Sequence, residues 1–356
     1  MDWQRAFIPG SKPDGTPILS VMGKATYTIG PGKASPADEP LELVTEDVYA
    51  DTDNPLYSEV AAETDLIFYK PSTDVVVTGC VCAPKGKQAY HLDCEVSVGP
   101  LRKVVRVYGD RSARLKAFGG VAISDPKPFS QMPLGYKKAY GGQCLKKNGT
   151  IVSFFPNPIG VGFAIKGGIS EDAEELAVPN LEDPAFPVTT DNLLVSKFEE
   201  WVNAPTPASL GWTRRNFYPR YTFMGVLPEF LDVALKNREE MSKKYPELAK
   251  TEIKKMDFRA YQGASDGLWG KQLLGGEKVK LVYLDPKYPT LEFELPTERP
   301  TMTMNIGDGD VELEPALQTV VIDKEKNILT MLWRGLMEYG GIESFAQLST
   351  FDYSVV

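Results

Sequence analysis

Cys80, Cys82, His91 and Cys94 fall within the run CVCAPKGKQAYHLDC and bring together side chains of the kinds that hold zinc. Their spacing argues against a metal centre. Cys80 and Cys82 share one face of a strand and lack the tight knuckle that a two-residue spacer gives. On any strand that carries both, His91 and Cys94 point to opposite faces. Small cysteines buried in a sheet are the simpler account, and neither metal nor cofactor is expected. His91 is the only histidine, so a Ser-His-Asp or Cys-His arrangement would have to use it, and no G-x-S-x-G elbow accompanies it. GVGFAIKGG (160–168) has neither phosphate-loop spacing and reads as a turn. GDGDVELE (307–314) sets Asp308, Asp310, Glu312 and Glu314 at alternate positions. That is no EF-hand loop; it reads as a polar turn entering an edge strand. These patterns assign no catalytic residue and no enzymatic activity.

GWTRRNFYPR (211–220) differs in kind. Trp212, Phe217 and Tyr218 interleave with Arg214, Arg215 and Arg220, a composition enriched where proteins bind each other. The same residues also fit a buried aromatic loop whose arginines pair with nearby acids. The stretch from Pro126 to Phe163 is dense in Gly, Pro and aromatics. Gly141, Gly142, Gly160 and Gly162 supply backbone freedom there, while Pro126, Pro128, Pro133, Pro156 and Pro158 fix φ. Such a segment specifies a rigid, irregular shape and suits a protein that holds something. Tyr136, Tyr140 and Phe163 are its candidate groove-lining residues.

The elements that must position these residues read as mainly β. SVMGKATYTIG (20–30) alternates and ends at Gly-Pro-Gly, and DLIFYKPSTDVVVTGCVCAP (65–84) reads as two short strands about a Pro-Ser-Thr-Asp turn. DCEVSVG (93–99) and RKVVRVYGD (102–110) are joined through Gly99-Pro100-Leu101, a hairpin connection. KVKLVYLD, TLEFELP and TMTMNIG follow at 278–307, and the pair LQTVVID and ILTMLWRG flanks a polar turn at Lys324–Asn327. Connections this short demand antiparallel sheets, arranged as a sandwich or a partly open barrel. Helices are expected at 191–203, with Asp191 as cap and Leu193, Leu194, Phe198 and Trp201 as a stripe, and within 228–249, with a short helix near Ser170–Glu175. The chain reads as one β-rich unit over 1–356, with an N-terminal lobe (1–190), a helix and loop connection (191–274) and a C-terminal lobe (275–356).

A hydrophobic fraction of 42% with 24% charged residues is that of a globular protein with a real core. The formal net charge of −9 argues against nucleic acid as a partner, because neutralising phosphates needs a basic face. Lys85–Lys87, Lys137-Lys138 and Lys146-Lys147 read as scattered solvated lysines. No secretory signal and no bilayer-length apolar run is visible, so a cytoplasmic location is expected, with no membrane partner.

A succession of motifs carries a family resemblance: FYKPSTDVVVTGCVCAPKG, VSVGPLRKVVRVYGDR, PFSQMPLGYKKAYGG, NPIGVGF, VPNLEDP, GWTRRNFYPR, MDFRAYQGASDGL, LLGGEKVKLVYLDP and LQTVVID…LTMLWRG. In this order they resemble the domain-of-unknown-function family two-one-six-nine, found with bacterial type VI secretion systems. Within them Lys70, Asp74, Pro84, Gly109, Asp110, Pro133, Asn157, Pro158 and Trp333, with the four glycines named above, are the framework positions. The resemblance implies an adaptor or chaperone. Such a protein binds a secreted toxin, often through a PAAR-like domain, and helps load it onto a VgrG-type spike. It implies no catalytic residue and no cofactor. The alternative is a β-rich carbohydrate-binding module or glycoside hydrolase, motivated by the many acids and aromatics.

Overall fold

The computed structural model describes residues 2–115, 120–146, 148–165, 175–195, 203–250, 252–307, 309–340 and 348–356. Its main sheet runs, in spatial order, Gln4–Ser11, Pro17–Gly30, Ile328–Glu338, Ala316–Asp323 and Asp74–Thr78, with Lys33–Pro36 added on Pro17–Gly30. The long central pairing of Pro17–Gly30 with Ile328–Glu338, from Ile18↔Glu338 to Thr28↔Ile328, joins the two ends of the chain. A five-stranded sheet carries Leu181–Glu182, Leu101–Tyr108, His91–Val98, Lys278–Val282 and Thr290–Glu294 in that order. A third sheet holds Asp310–Leu313, Met302–Asn305 and Asp352–Val355. Strands drawn from both expected β lobes therefore pair within single sheets, and all three sheets contribute to one hydrophobic core.

The turns follow from residue type. Pro31-Gly32 closes the β-turn between Pro17–Gly30 and Lys33–Pro36, with Gly32 at φ +81, the left-handed conformation that the second central residue of a type II turn requires. Gly99 at φ +53 starts the two-residue loop between His91–Val98 and Leu101–Tyr108. Asp323 accepts the amides of Glu325 and Lys326, and Asn327 takes φ +58, which closes the last hairpin as its sequence suggested. Pro17–Gly30 is buried along nearly its whole length, so strict alternation fails there. A Cβ on Gly23 would lie 2.6 Å from Val355, and one on Gly335 2.7 Å from Leu313. These two glycines let the third sheet close onto the main one.

The expected architecture is mainly β with antiparallel sheets, and that is what forms; no barrel closes. Three pairings differ. Asp74–Thr78 runs parallel to Ala316–Asp323, Tyr140–Gly141 to Val161–Gly162, and Ala164–Ile165 to Leu194–Val195. The first strand expected, ahead of the Pro-Ser-Thr-Asp turn, does not form; Lys70 turns inward to Asp74, and in the turn Thr73 donates to the Leu317 carbonyl. Leu231–Ser242 is the helix expected within 228–249. The helix expected at 191–203 does not begin: Leu194–Val195 is a strand and Leu193 and Leu194 enter a second apolar core, while 196–202 lie outside the described residues. Leu176–Val178 is also strand, and 170–174, expected as a short helix, lie outside the described residues.

The Gly/Pro stretch frames that second core, built on Tyr140, Phe154 and Phe163 with ring centroids 5.2 and 5.1 Å apart. Asn157 donates to the carbonyls of Tyr136 and Tyr140 (2.8 and 3.0 Å), and its own carbonyl accepts from Gly142. Gly141 sits at φ +149, and a Cβ on it would meet the Asn157 carbonyl oxygen at 2.1 Å. Gly141→Ala is therefore expected to cost about 2–4 kcal/mol. Gly149→Ala, at φ +81 but facing open space, is expected to cost about 1 kcal/mol. Urea unfolding of the two variants beside wild type measures the contrast.

Candidate functional site

The site rests on charges buried between the main sheet and the loops that cover its edge. Asp74 begins the edge strand, and its outward amides are already taken: Thr73, Val75 and Val77 donate to the carbonyls of Lys271, Leu268 and Leu210. The Lys70 ammonium meets Asp74 at 2.6 Å and Thr319 at 3.3 Å. Asp74 also accepts from Gln262 (2.7 Å) and from the Gly263 amide (2.8 Å). Glu63 lies beside this pair, 4.0 Å from Lys70, with Arg220 at 2.5 Å and Arg215 at 3.1 Å. Burial would raise the Glu63 carboxyl, but Arg220, Lys70 and Arg215 outweigh it and hold the group below the usual glutamate value. Arg334 donates to the Lys70 carbonyl and stacks 4.8 Å from the centre of the Tyr69 ring. Burial brings its guanidinium down to about 10.

This network explains the GWTRRNFYPR segment. Arg220 spans Glu63 and the carbonyls of Ala260 and Thr213, and Arg214 donates to the carbonyls of Pro55, Leu56 and Ser58 (2.6, 3.0 and 2.6 Å). Trp212, Arg214, Phe217 and Arg220 are buried, Arg215 is half-buried and Tyr218 is exposed. Sequence composition left open a surface hot spot or a buried aromatic loop with arginines paired to acids, and the fold shows the second. In the fold these arginines spend their donors on carbonyls and Glu63, and that holds the segment inside. The proposed groove of Tyr136, Tyr140 and Phe163 does not form either. Tyr140 and Phe163 belong to the second core, whereas Tyr136 joins the main one.

Four of the named residues do converge on one cleft of about 350 Å³. Tyr136, Trp212, Phe217 and Arg214 line its wall, with Pro133, Leu134 and Ile159. The Tyr136 hydroxyl is held by Thr213 and Ser265 (2.9 and 3.0 Å), and its ring meets Phe217 edge-on at 6.5 Å. Glu59, Asp323, Glu325 and Lys326 stand at the cleft, and the Glu325 carboxylate has no partner among the described residues. Val60 and Ala61, in the short strand Val60–Ala62 that pairs with Val48–Tyr49, also line it. Tyr136 also lines a second cavity of about 360 Å³ with Lys103, Asp183, Asp266, Tyr218 and Trp269. There Lys103 donates to the Asp266 carbonyl at 2.7 Å, and burial lowers its ammonium.

The remaining named positions are framework. Asp110 accepts from Asn180 at 3.1 Å. A Cβ on Gly109 would lie 1.7 Å from the Lys127 carbonyl oxygen, and one on Gly160 2.5 Å from that of Ala139. Pro84 accepts the Lys87 amide in a turn, Pro158 is half-buried beside Asn157, Gly162 sits at φ +94, and Trp333 is buried under the Arg299 guanidinium at 5.9 Å. Cys94 faces the core, where burial pushes its thiol up to about 12, while His91 three residues away is exposed. Cys94 and His91 thus fall on opposite faces of their strand, as their spacing required. Asp310 pairs with Asn305 at 2.8 Å at the start of an edge strand, the polar turn expected there; Asp308 lies outside the described residues. Sequence reasoning missed Glu63, Gln262 and Arg334. Nothing in AAETD distinguishes Glu63 from a solvated acid.

The fold and cleft define a β-rich scaffold with a recessed, aromatic-walled surface. The chain belongs to a bacterial family described as "Uncharacterized protein conserved in bacteria (DUF2169)", whose model matches residues 14–334. Comparison with curated proteins and with solved structures found no match. Among the described residues no helix is long and apolar enough to cross a membrane.

Because the folded Glu63 carboxyl is held low, the stability it supplies is present above about pH 4.5 and fades as pH falls below that. Glu63→Gln is expected to destabilise by about 3–5 kcal/mol at pH 7 and to flatten the loss of stability between pH 5 and 3. Urea titrations of both proteins across that range measure the slope.

Proposed function

We propose that this chain is a non-enzymatic cytoplasmic adaptor. It binds a type VI secretion toxin, through its PAAR-like or N-terminal region, and helps load it onto a VgrG-type spike. The observation that carries this reading is the cleft walled by Tyr136, Trp212 and Phe217 on a frame fixed by buried charges. Aromatic walls supply contact area at little entropic cost because the rings are already locked, so docking cargo orders few side chains. The cleft takes a short extended segment better than a whole domain face. Ordered motif resemblance across the chain adds to the reading. Binding here is stoichiometric, with no turnover.

Co-expression with a type VI secretion toxin carrying a PAAR-like domain, followed by size-exclusion chromatography, is expected to give a single co-eluting complex. Ala61→Trp, at an exposed position lining the cleft, is expected to weaken that complex at least about tenfold while leaving the urea midpoint unchanged. Consistent failure of the wild-type pair to co-elute sinks the adaptor reading.

A further inference from the structure

A second surface stands apart from the cleft. Leu231–Ser242 buries none of its residues, has no side-chain cap at its N-terminus, and packs chiefly against the turns on either side, Pro228–Phe230 and Pro246–Lys250. A helix of this length is marginal in water, and tertiary burial of an apolar face normally supplies its stability. Here the apolar face points outward. Phe230, Val233, Met241 and Tyr245 follow helical spacing along one side, and they are 57%, 57%, 48% and 40% exposed. Tyr221 and Met224, just upstream, are 41% and 45% exposed. Although Asn237 interrupts it between Val233 and Met241, an exposed apolar face of this kind marks an interaction surface.

Charge identifies the kind of partner. From 243 to 255 the chain carries five lysines against two glutamates, in a protein whose formal net charge is −9. Lys243, Lys244 and Lys255 are exposed, and the Lys244 ammonium sits over the Tyr245 ring at 5.3 Å, at the end of the stripe. An apolar helix face followed by a basic segment fits a protein groove that is apolar inside and edged with carboxylates. We propose that the helix Leu231–Ser242 and the basic segment after it dock into such an acidic-rimmed apolar groove on the cargo protein. This rests on the adaptor reading and adds a second contact to the cleft.

The test uses the co-expressed complex of the full chain with the same toxin. Val233→Asp combined with Met241→Asp, both at exposed positions, is expected to weaken the complex at least tenfold with the urea midpoint unchanged. Lys243→Glu with Lys244→Glu is expected to weaken it and to reduce its sensitivity to sodium chloride between 50 and 300 mM. A wild-type pair that never co-elutes removes the adaptor reading and this inference together. A wild-type complex that Val233→Asp/Met241→Asp leaves intact removes this inference alone. So does a wild-type homodimer, seen by light scattering without cargo, that the same double variant abolishes, because the stripe would then belong to a second copy.

Discussion

The ion pair between Lys70 and Asp74 is the constraint from which the rest of the arrangement follows. Both side chains are almost fully buried, so neither keeps its hydration, and the cost of several kcal/mol per ion is met only by complete hydrogen bonding. That demand fixes geometry. Asp74 must find Gln262 and the Gly263 amide, Lys70 must find Thr319, and Glu63 must gather Arg220 and Arg215. Segments distant in the chain are thereby brought to one place: the Glu63 loop, the edge strand, the 211–220 turn and the 258–271 loop. A hydrophobic contact would tolerate sliding here. Charges with directed partners do not.

The cleft is the outer face of this network. Arg214 belongs to its wall and also pins the carbonyls of Pro55, Leu56 and Ser58, so one residue shapes the wall and fixes that turn. Tyr136 is held through its hydroxyl from behind. Rigidity of the recess and solvent exposure of the helix stripe are therefore opposite properties in one molecule. One surface is preorganised. The other exposes an apolar face that its own fold leaves uncovered.

The sequence made the sheets legible where one face is dry and the other wet, as in Leu101–Tyr108, and where turn chemistry is explicit, as at Lys324–Asn327. At Pro17–Gly30 the rough alternation was enough to show a strand, but not that both of its faces are buried. At 191–195 Leu193 and Leu194 suit a helical stripe and a strand equally well, and packing against Tyr140 and Phe163 chose the strand. The aromatic residues of the cleft were visible by composition, which left their burial open. It depends on Glu63, whose arginine partners lie more than a hundred positions away and leave no local trace. Tyr136 likewise reaches the cleft, while Tyr140, four residues on, turns into another core because Asn157 bends the chain between them.

The parallel pairing of Asp74–Thr78 with Ala316–Asp323 carries a consequence for how the chain acquires its shape. The edge strand can be neither flanked nor covered until the loops at 210 and 268 and the last hairpin are present. Pro17–Gly30 similarly waits for Ile328–Glu338. Closing such distant pairings is entropically slow, so during synthesis the first two hundred residues emerge with unpaired strand edges and with Glu63 lacking Arg215 and Arg220. Commitment to the native arrangement comes late and from the C-terminal end. Until then the nascent protein depends on not meeting another exposed β edge.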